Sequence, residues 1–296
     1  MDSFYINLYV PSLDKKLRFK EFNNLLLINV LKFITNKDSK GFSNYIDYII
    51  DKNLFDREYK DSFDCFDKLI IMLQYKAVNI NQELKFVIKN EDKKEASLSY
   101  NLFNIIKEIT EKNFITKTEI ELNNSVYIGL SIPKSLYIEN FDTIFSECLM
   151  YIRHGEDRVY LNSLPLDEKN KVLDSISGDN LNKVISFFDT SNNSTKNAAF
   201  MSENTKLPEL NTLKVNFFNN SLISFLELVY HENLLSYFEF IYVMVNKVKL
   251  KLDEFYNLVP SESLLLYNMF KKDVEEQNKE IEQIGKKDKG PTIAKP

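Results

Sequence analysis

The chain has 296 residues, 44% of them hydrophobic and 27% charged, with a formal net charge of −5. That balance lies above the disordered range, and the length suits one large domain or two of ordinary size. Only six glycines occur where average usage would give about 21, and neither GxGxxG nor GxxxxGK[ST] is present, which excludes the phosphate-cradling nucleotide folds.

The first expected strand covers residues 4–10 and is closed by Pro11 and Ser12, with residues 17–19 returning antiparallel to it. Residues 22–34 are apolar nearly all round, which predicts a helix central to its domain. A second helix over 42–54 places Phe42, Tyr45, Ile46, Ile49 and Ile50 on one stripe. A third follows the candidate cap Asp61, with Phe66, Leu69, Ile70, Leu73 and Ala77 at helical spacing. The period then becomes two: Leu84, Phe86 and Ile88 alternate with polar neighbours, as do Leu98, Tyr100 and Leu102. Ile120 and Leu122 lead through Asn123, Asn124 and Ser125 into Val126, Ile128, Leu130 and Ile132, the pattern of a β-hairpin. Phe141, Ile144, Phe145, Cys148, Leu149 and Ile152 predict an amphipathic helix. Helices are expected over 167–176, 179–188, 222–230 and 234–245, with 190–207 a polar loop and a short apolar stretch at 252–258 before Pro260.

The fold class is therefore α+β, with N-terminal helices and a small antiparallel sheet followed by a mainly helical C-terminal half. Residues 1–160 form the α+β domain, 161–260 a mainly helical domain with its loop at 190–207, 261–284 a C-terminal helix, and 285–296 a lysine-rich, disordered tail.

Lysine outnumbers arginine 34 to 4 beside abundant Asn, Ile, Phe and Tyr, a bias of low-GC codons that removes lysine as evidence for nucleic acid. The acidic balance agrees, since phosphate-binding surfaces carry a basic excess. Cys65 and Cys148 are far apart and form no CxxC pair, so a reducing compartment is expected. Residues 1–10 lack a basic region followed by an apolar run, and no window has about 18 uncharged apolar residues; neither a leader nor a membrane span is expected.

Catalysis finds no anchor. Arg153-His154-Gly155 matches the short signature of histidine phosphatases, but that chemistry needs a second histidine and further arginines, and only His231 and three other arginines exist. The tripeptide reads better as a cationic helix end followed by a glycine cap. Cys65, Cys148, His154 and His231 lack the close pairs of a zinc site, so no metal or cofactor is expected. Adjacent acids such as Glu275 and Glu276 read as a solvated helix face.

The most specific pattern lies in the C-terminal helix. Tyr267, Phe270, Val274, Gln277, Ile281 and Ile284 step by 3, 4, 3, 4 and 3, an a/d seam with one polar interruption. Such a seam packs on another helix, either in the protein's own body or in a partner, and these six residues are the candidate partner-binding site.

The order of elements resembles the baseplate hub proteins and hub assembly factors of T4-like contractile-tailed bacteriophages. Residues 8–19 (LYVPSLDKKLRF) look like that family's opening stretch, and 64–83, with DKL and LQYKAV within it, like the helix leading into its first sheet strand. Residues 173–188 (LDSISGDNLNKVISFF) are similar to its short helical pair, and 252–280, with LVP, Tyr267 and an acidic end, to its closing helix. The family's cysteine pairs are absent from the matching regions 86–98 and 213–218, and Pro260 is followed by Ser-Glu-Ser rather than an aromatic-acid-arginine cluster. The resemblance implies a non-enzymatic tail protein, a hub component or hub assembly factor. Its partners would be other baseplate or tail proteins, with no nucleic acid, membrane or small-molecule substrate. Its place would be the host cytoplasm during assembly, or the tail baseplate of the virion. The competing readings are a low-GC enzyme using His154 and His231, and an adaptor binding nucleic acid through the lysine-rich tail.

Overall fold

The computed structural model describes residues 4–89, 95–111, 117–123, 125–140, 144–161, 164–196 and 220–287. The chain divides into two compact units, residues 1–21 with 30–231, and residues 22–29 with 232–296. The fold is α+β, with the strands in the N-terminal half and helices in the C-terminal half.

In the first unit, β1 (Tyr5–Val10) and β2 (Lys15–Lys20) form an antiparallel hairpin with Leu8 opposite Leu17. A 3-10 turn over Pro11–Leu13 joins them and ends at Asp14, whose left-handed φ of 49° is one that aspartate tolerates. Leu8, Val10, Leu17 and Phe19 are buried, as the period of two requires. Helix α1 (Asn24–Thr35) follows and contributes its first six residues to the second unit. Next come α2 (Ser39–Asn53), which buries Phe42, Ile46, Ile49 and Ile50, and α3 (Cys65–Asn79).

Beyond α3 the antiparallel pair β3 (Glu83–Lys89) and β4 (Glu95–Asn101) leads directly into α4 (Leu102–Glu111). A four-stranded antiparallel meander contains β5 (Lys117–Asn123), β6 (Val126–Ser131), β7 (Leu149–His154) and β8 (Asp157–Tyr160), with the one-turn helix α5 (Ile144–Glu147) between β6 and β7. Helices α6 (Leu166–Asp174), α7 (Gly178–Lys196) and α8 (Ser221–Val229) complete the unit.

Helix α3, rather than α1, is the element without a polar face. Cys65, Phe66, Leu69, Ile70, Ile71, Met72, Leu73, Tyr75 and Ala77 are all buried, and the helix packs against β1, α2, α4 and α8. Its N-terminus carries a capping box of Asp64 and Asp67, so the cap is Asp64 and not Asp61. Asp67 also accepts from the Ser12 backbone N–H at 2.9 Å and the Ser12 hydroxyl at 2.6 Å, which ties the β1–β2 turn to the helix. Burial of two adjacent carboxyls pushes the Asp64 pKa up to about 7 and that of Asp67 upward as well. Tyr75 and Tyr230 donate from within the core to the carbonyls of Lys20 and Met72.

The second unit holds residues 22–29 of the α1 segment, α9 (Leu234–Asn246), α10 (Leu252–Asn257) and α11 (Pro260–Lys287). Ile28, Ile241, Met244 and Phe255 form its core, with Tyr237, Phe240, Leu266 and Tyr267 packed against them. Buried Asn24 fastens the helices. Its amide donates to the Phe255 carbonyl at 2.9 Å and to the Ser263 hydroxyl at 3.2 Å, and its oxygen accepts from the Tyr237 hydroxyl at 2.6 Å. A buried amide so fully paired orients three helix segments without leaving an orphaned group.

Three segments differ from the sequence expectation. The apolar stripe at 144–152 forms only the short α5 before becoming strand β7; flanking ladders with β6 and β8 override a local helical pattern. The second run of alternation stops at Asn101, whose side chain caps α4 by accepting from the N–H groups of Phe103 and Asn104. Ile105, Ile106 and Ile109 then turn inward with Leu102 at helical spacing. Helix α7 runs through Lys196, eight residues further than the expected 188, into the segment expected as a polar loop; residues 197–207 of that segment, Phe141, and tail residues 288–296 lie outside the described residues.

Candidate interaction surface

Helix α11 starts with Pro260, whose missing N–H costs nothing at a helix N-terminus. Glu262 accepts from the Val259 N–H at 3.1 Å, and the buried Ser263 hydroxyl donates to the Pro260 carbonyl at 2.9 Å. Over its first turns the seam face packs inward. Leu266 and Tyr267 join the core of the second unit, and the Tyr267 ring meets Phe240 edge-on with centroids 5.5 Å apart. Phe270 is half-buried.

From Lys271 through Ile281 every residue is exposed, including Gln277. Val274 is 36% exposed and Ile281 66%. The structure thus splits the six predicted seam residues: Tyr267 and Phe270 lie against or beside the protein's own core, while Val274, Gln277 and Ile281 continue the same face into solvent. The backbone at Ile284 is helical, and its side chain lies outside the described residues. Lys271 with Glu275 and Lys272 with Glu276 form i,i+4 ion pairs at 4.0 and 3.9 Å, which support the helix by a few tenths of a kcal/mol each at most.

More apolar surface is exposed on the second unit than the seam alone. Leu264, Leu265 and Met269 are exposed on α11 outside the seam, as are Leu235, Phe238 and Tyr242 on α9. The spacing i, i+3, i+7 on α9 is visible in the sequence. It goes unnoticed because that helix is apolar on two faces and one stripe already accounts for the core. Outward apolar side chains such as these are candidates for contact with another protein.

The residues weighed for chemistry fall elsewhere. Arg153-His154-Gly155 ends strand β7 and enters the β7–β8 turn, where Gly155 takes a φ of 61°; it is not a helix end. Arg153 is held by Glu119, with Nη2 to Oε2 at 2.8 Å, and stacks 4.0 Å from the Tyr127 ring centroid. Hydrogen bonds from Arg153 and Tyr151 keep the Glu119 carboxyl at a pKa of about 2. Gly129 makes room on this sheet face, since a Cβ there would sit 2.5 Å from the Tyr151 ring. His154 and His231 are both exposed. Cys65 and Cys148 are buried free thiols whose pKa values burial raises, the environment of inert cysteines. Among the described residues no group of three or more His, Cys, Asp or Glu side chains could hold a metal, and no helix is long and apolar enough to cross a membrane. A cleft lined by Asp47, Asp51, Lys60, Lys68 and Lys134 has its charges engaged, with Lys68 on Asp47 at 2.6 Å and Lys60 on Asp51 at 3.0 Å.

No curated protein and no solved structure matches the chain. The family model described as T4 bacteriophage base plate protein matches residues 3–215, which covers most of the first unit and stops before α8 to α11. With well over half of its length in that match, the chain belongs to the T4 bacteriophage base plate protein family and is a structural protein of the phage tail.

Proposed function

We propose that this protein is a component of the baseplate hub, or a factor that assembles the hub, and that it works through protein–protein contacts without chemistry of its own. Its partners are other baseplate or tail proteins; neither nucleic acid nor a membrane takes part. It is made in the host cytoplasm and acts there or in the tail baseplate. The observation that carries this reading is the exposed stretch of α11, where Val274, Gln277 and Ile281 prolong a seam whose first turns are already packed. Burial of Val274 and Ile281 against a partner would contribute roughly 1.5–3 kcal/mol each before ordering costs. The test is a chain ended after Phe270, which keeps the packed turns and removes the exposed ones. Its circular dichroism should fall only by the lost helical residues, its Tm should hold, and baseplate assembly should fail. Normal assembly by the shortened protein would remove α11 from the interface. Mass spectrometry of purified virions separates the two roles: abundant peptides indicate a hub component, and their absence an assembly factor.

A further inference from the structure

The exposed seam on α11 has a register that selects its occupant. We infer that the distal part of α11, from Lys271 onward, pairs in parallel and in register with the same segment of a second copy of this chain, as a short two-stranded coiled coil. This inference rests on the reading of α11 as the docking element and names what docks there.

Val274 and Ile281 occupy a positions, where β-branched side chains favour two parallel strands. Gln277 occupies the d position between them and is exposed in the single chain. A parallel pair in register sets Gln277 opposite its own equivalent, and an amide is both donor and acceptor, so each satisfies the other. An antiparallel pair with Val274 across from Gln277 would bury that amide against an aliphatic side chain, leaving it unpaired. Flanking charge points the same way. In the parallel register Asp273 at g faces Asn278 at e, with no like charges opposed. The antiparallel register would bring Asp273 of each copy beside Glu280 of the other, two like-charge contacts on one flank of the seam. Charge over 271–287 is balanced, five lysines against five acids, so a second copy meets no net repulsion. A seam of this length binds weakly in dilute solution, so covalent capture is the suitable readout.

The buried state of Cys65 and Cys148 makes that capture clean, because a thiol introduced on α11 would be the accessible one. Full-length Gln277→Cys under mild oxidation should shift from monomer to disulfide-linked dimer. Lys272→Cys, on the outer f position, should stay monomeric under the same conditions. Adding Val274→Asp or Ile281→Asp to Gln277→Cys should abolish the dimer, with circular dichroism confirming an intact fold. Equal cross-linking at the two cysteine positions, or none at Gln277→Cys, would overturn the pairing. If Gln277→Cys fails to cross-link and the chain ended after Phe270 still blocks assembly, another subunit occupies the seam and only the self-pairing falls. If Gln277→Cys cross-links and the shortened chain assembles normally, the pairing stands and the docking role falls.

Discussion

The two units use their apolar residues differently. In the first, α3 is surrounded by β1, α2, α4 and α8, and its leucines and isoleucines are buried on every side. In the second, the core is the small set Ile28, Ile241, Met244 and Phe255, while Leu235, Phe238, Tyr242, Leu265, Met269 and Ile281 remain exposed. The first unit buries most of its large apolar side chains, with Phe4, Val159 and Tyr160 among the exceptions, and the smaller second unit leaves a larger share of its own exposed. The family match covers most of the first and stops before the helices of the second, apart from residues 22–29.

This contrast can be broken, starting with the largest effect. Leu73→Asp places an unpaired charge in the fully buried face of α3, costs several kcal/mol and should abolish soluble expression. A soluble, folded variant would show that α3 is not the centre of the first unit.

The buried carboxyls at the start of α3 provide a pH test of the same unit. Asp64 has a folded pKa raised to about 7, above its unfolded value, so the folded state holds the extra proton between those values. Its contribution to stability is fully present below the unfolded pKa and is lost as pH rises toward 7. Asp64→Asn keeps an acceptor oxygen for the cap and removes the titration. The Tm of the variant relative to the parent should therefore increase between about pH 5 and about pH 8. A constant difference across that range would contradict the assignment.

In the second unit, Phe255→Ala should cost about 3–5 kcal/mol. Hydrogen exchange should show α9 to α11 losing protection while α3 retains it. Asn24→Ala should cost about 1–3 kcal/mol, because the Tyr237 hydroxyl and the Phe255 carbonyl lose their buried partner. Smallest in stability is Ile281→Asp, expected within about 0.5 kcal/mol because the side chain is exposed. It should nevertheless impair assembly, and that separation of stability from function is the sharpest form of the contrast.

Periodicity alone fixed much of this protein. The β1–β2 hairpin, α2, the hairpin of β5 and β6, and the start of α11 follow from alternation, helical stripes, turn residues and Pro260, all of which act over a few neighbouring positions; α11 itself runs through Lys287, three residues into the segment expected as a disordered tail. The common face of Tyr267, Phe270, Val274, Gln277 and Ile281 on α11 follows from the same helical spacing. What local pattern could not supply was the choice among partners. Residues 149–154 fit a helical stripe and became β7 because β6 and β8 offered ladders on both sides. Leu25, Leu26, Leu27 and Ile28 look like the centre of the nearest domain in sequence, yet they group with helices more than 200 residues away. Asn24 explains part of this: its amide meets partners at positions 237, 255 and 263. The point where the α11 seam leaves the core, just after Phe270, was likewise decided by tertiary structure. A stripe of apolar residues specifies a face that must be buried, and only the number and position of the other helices determine how much of it the protein can bury by itself.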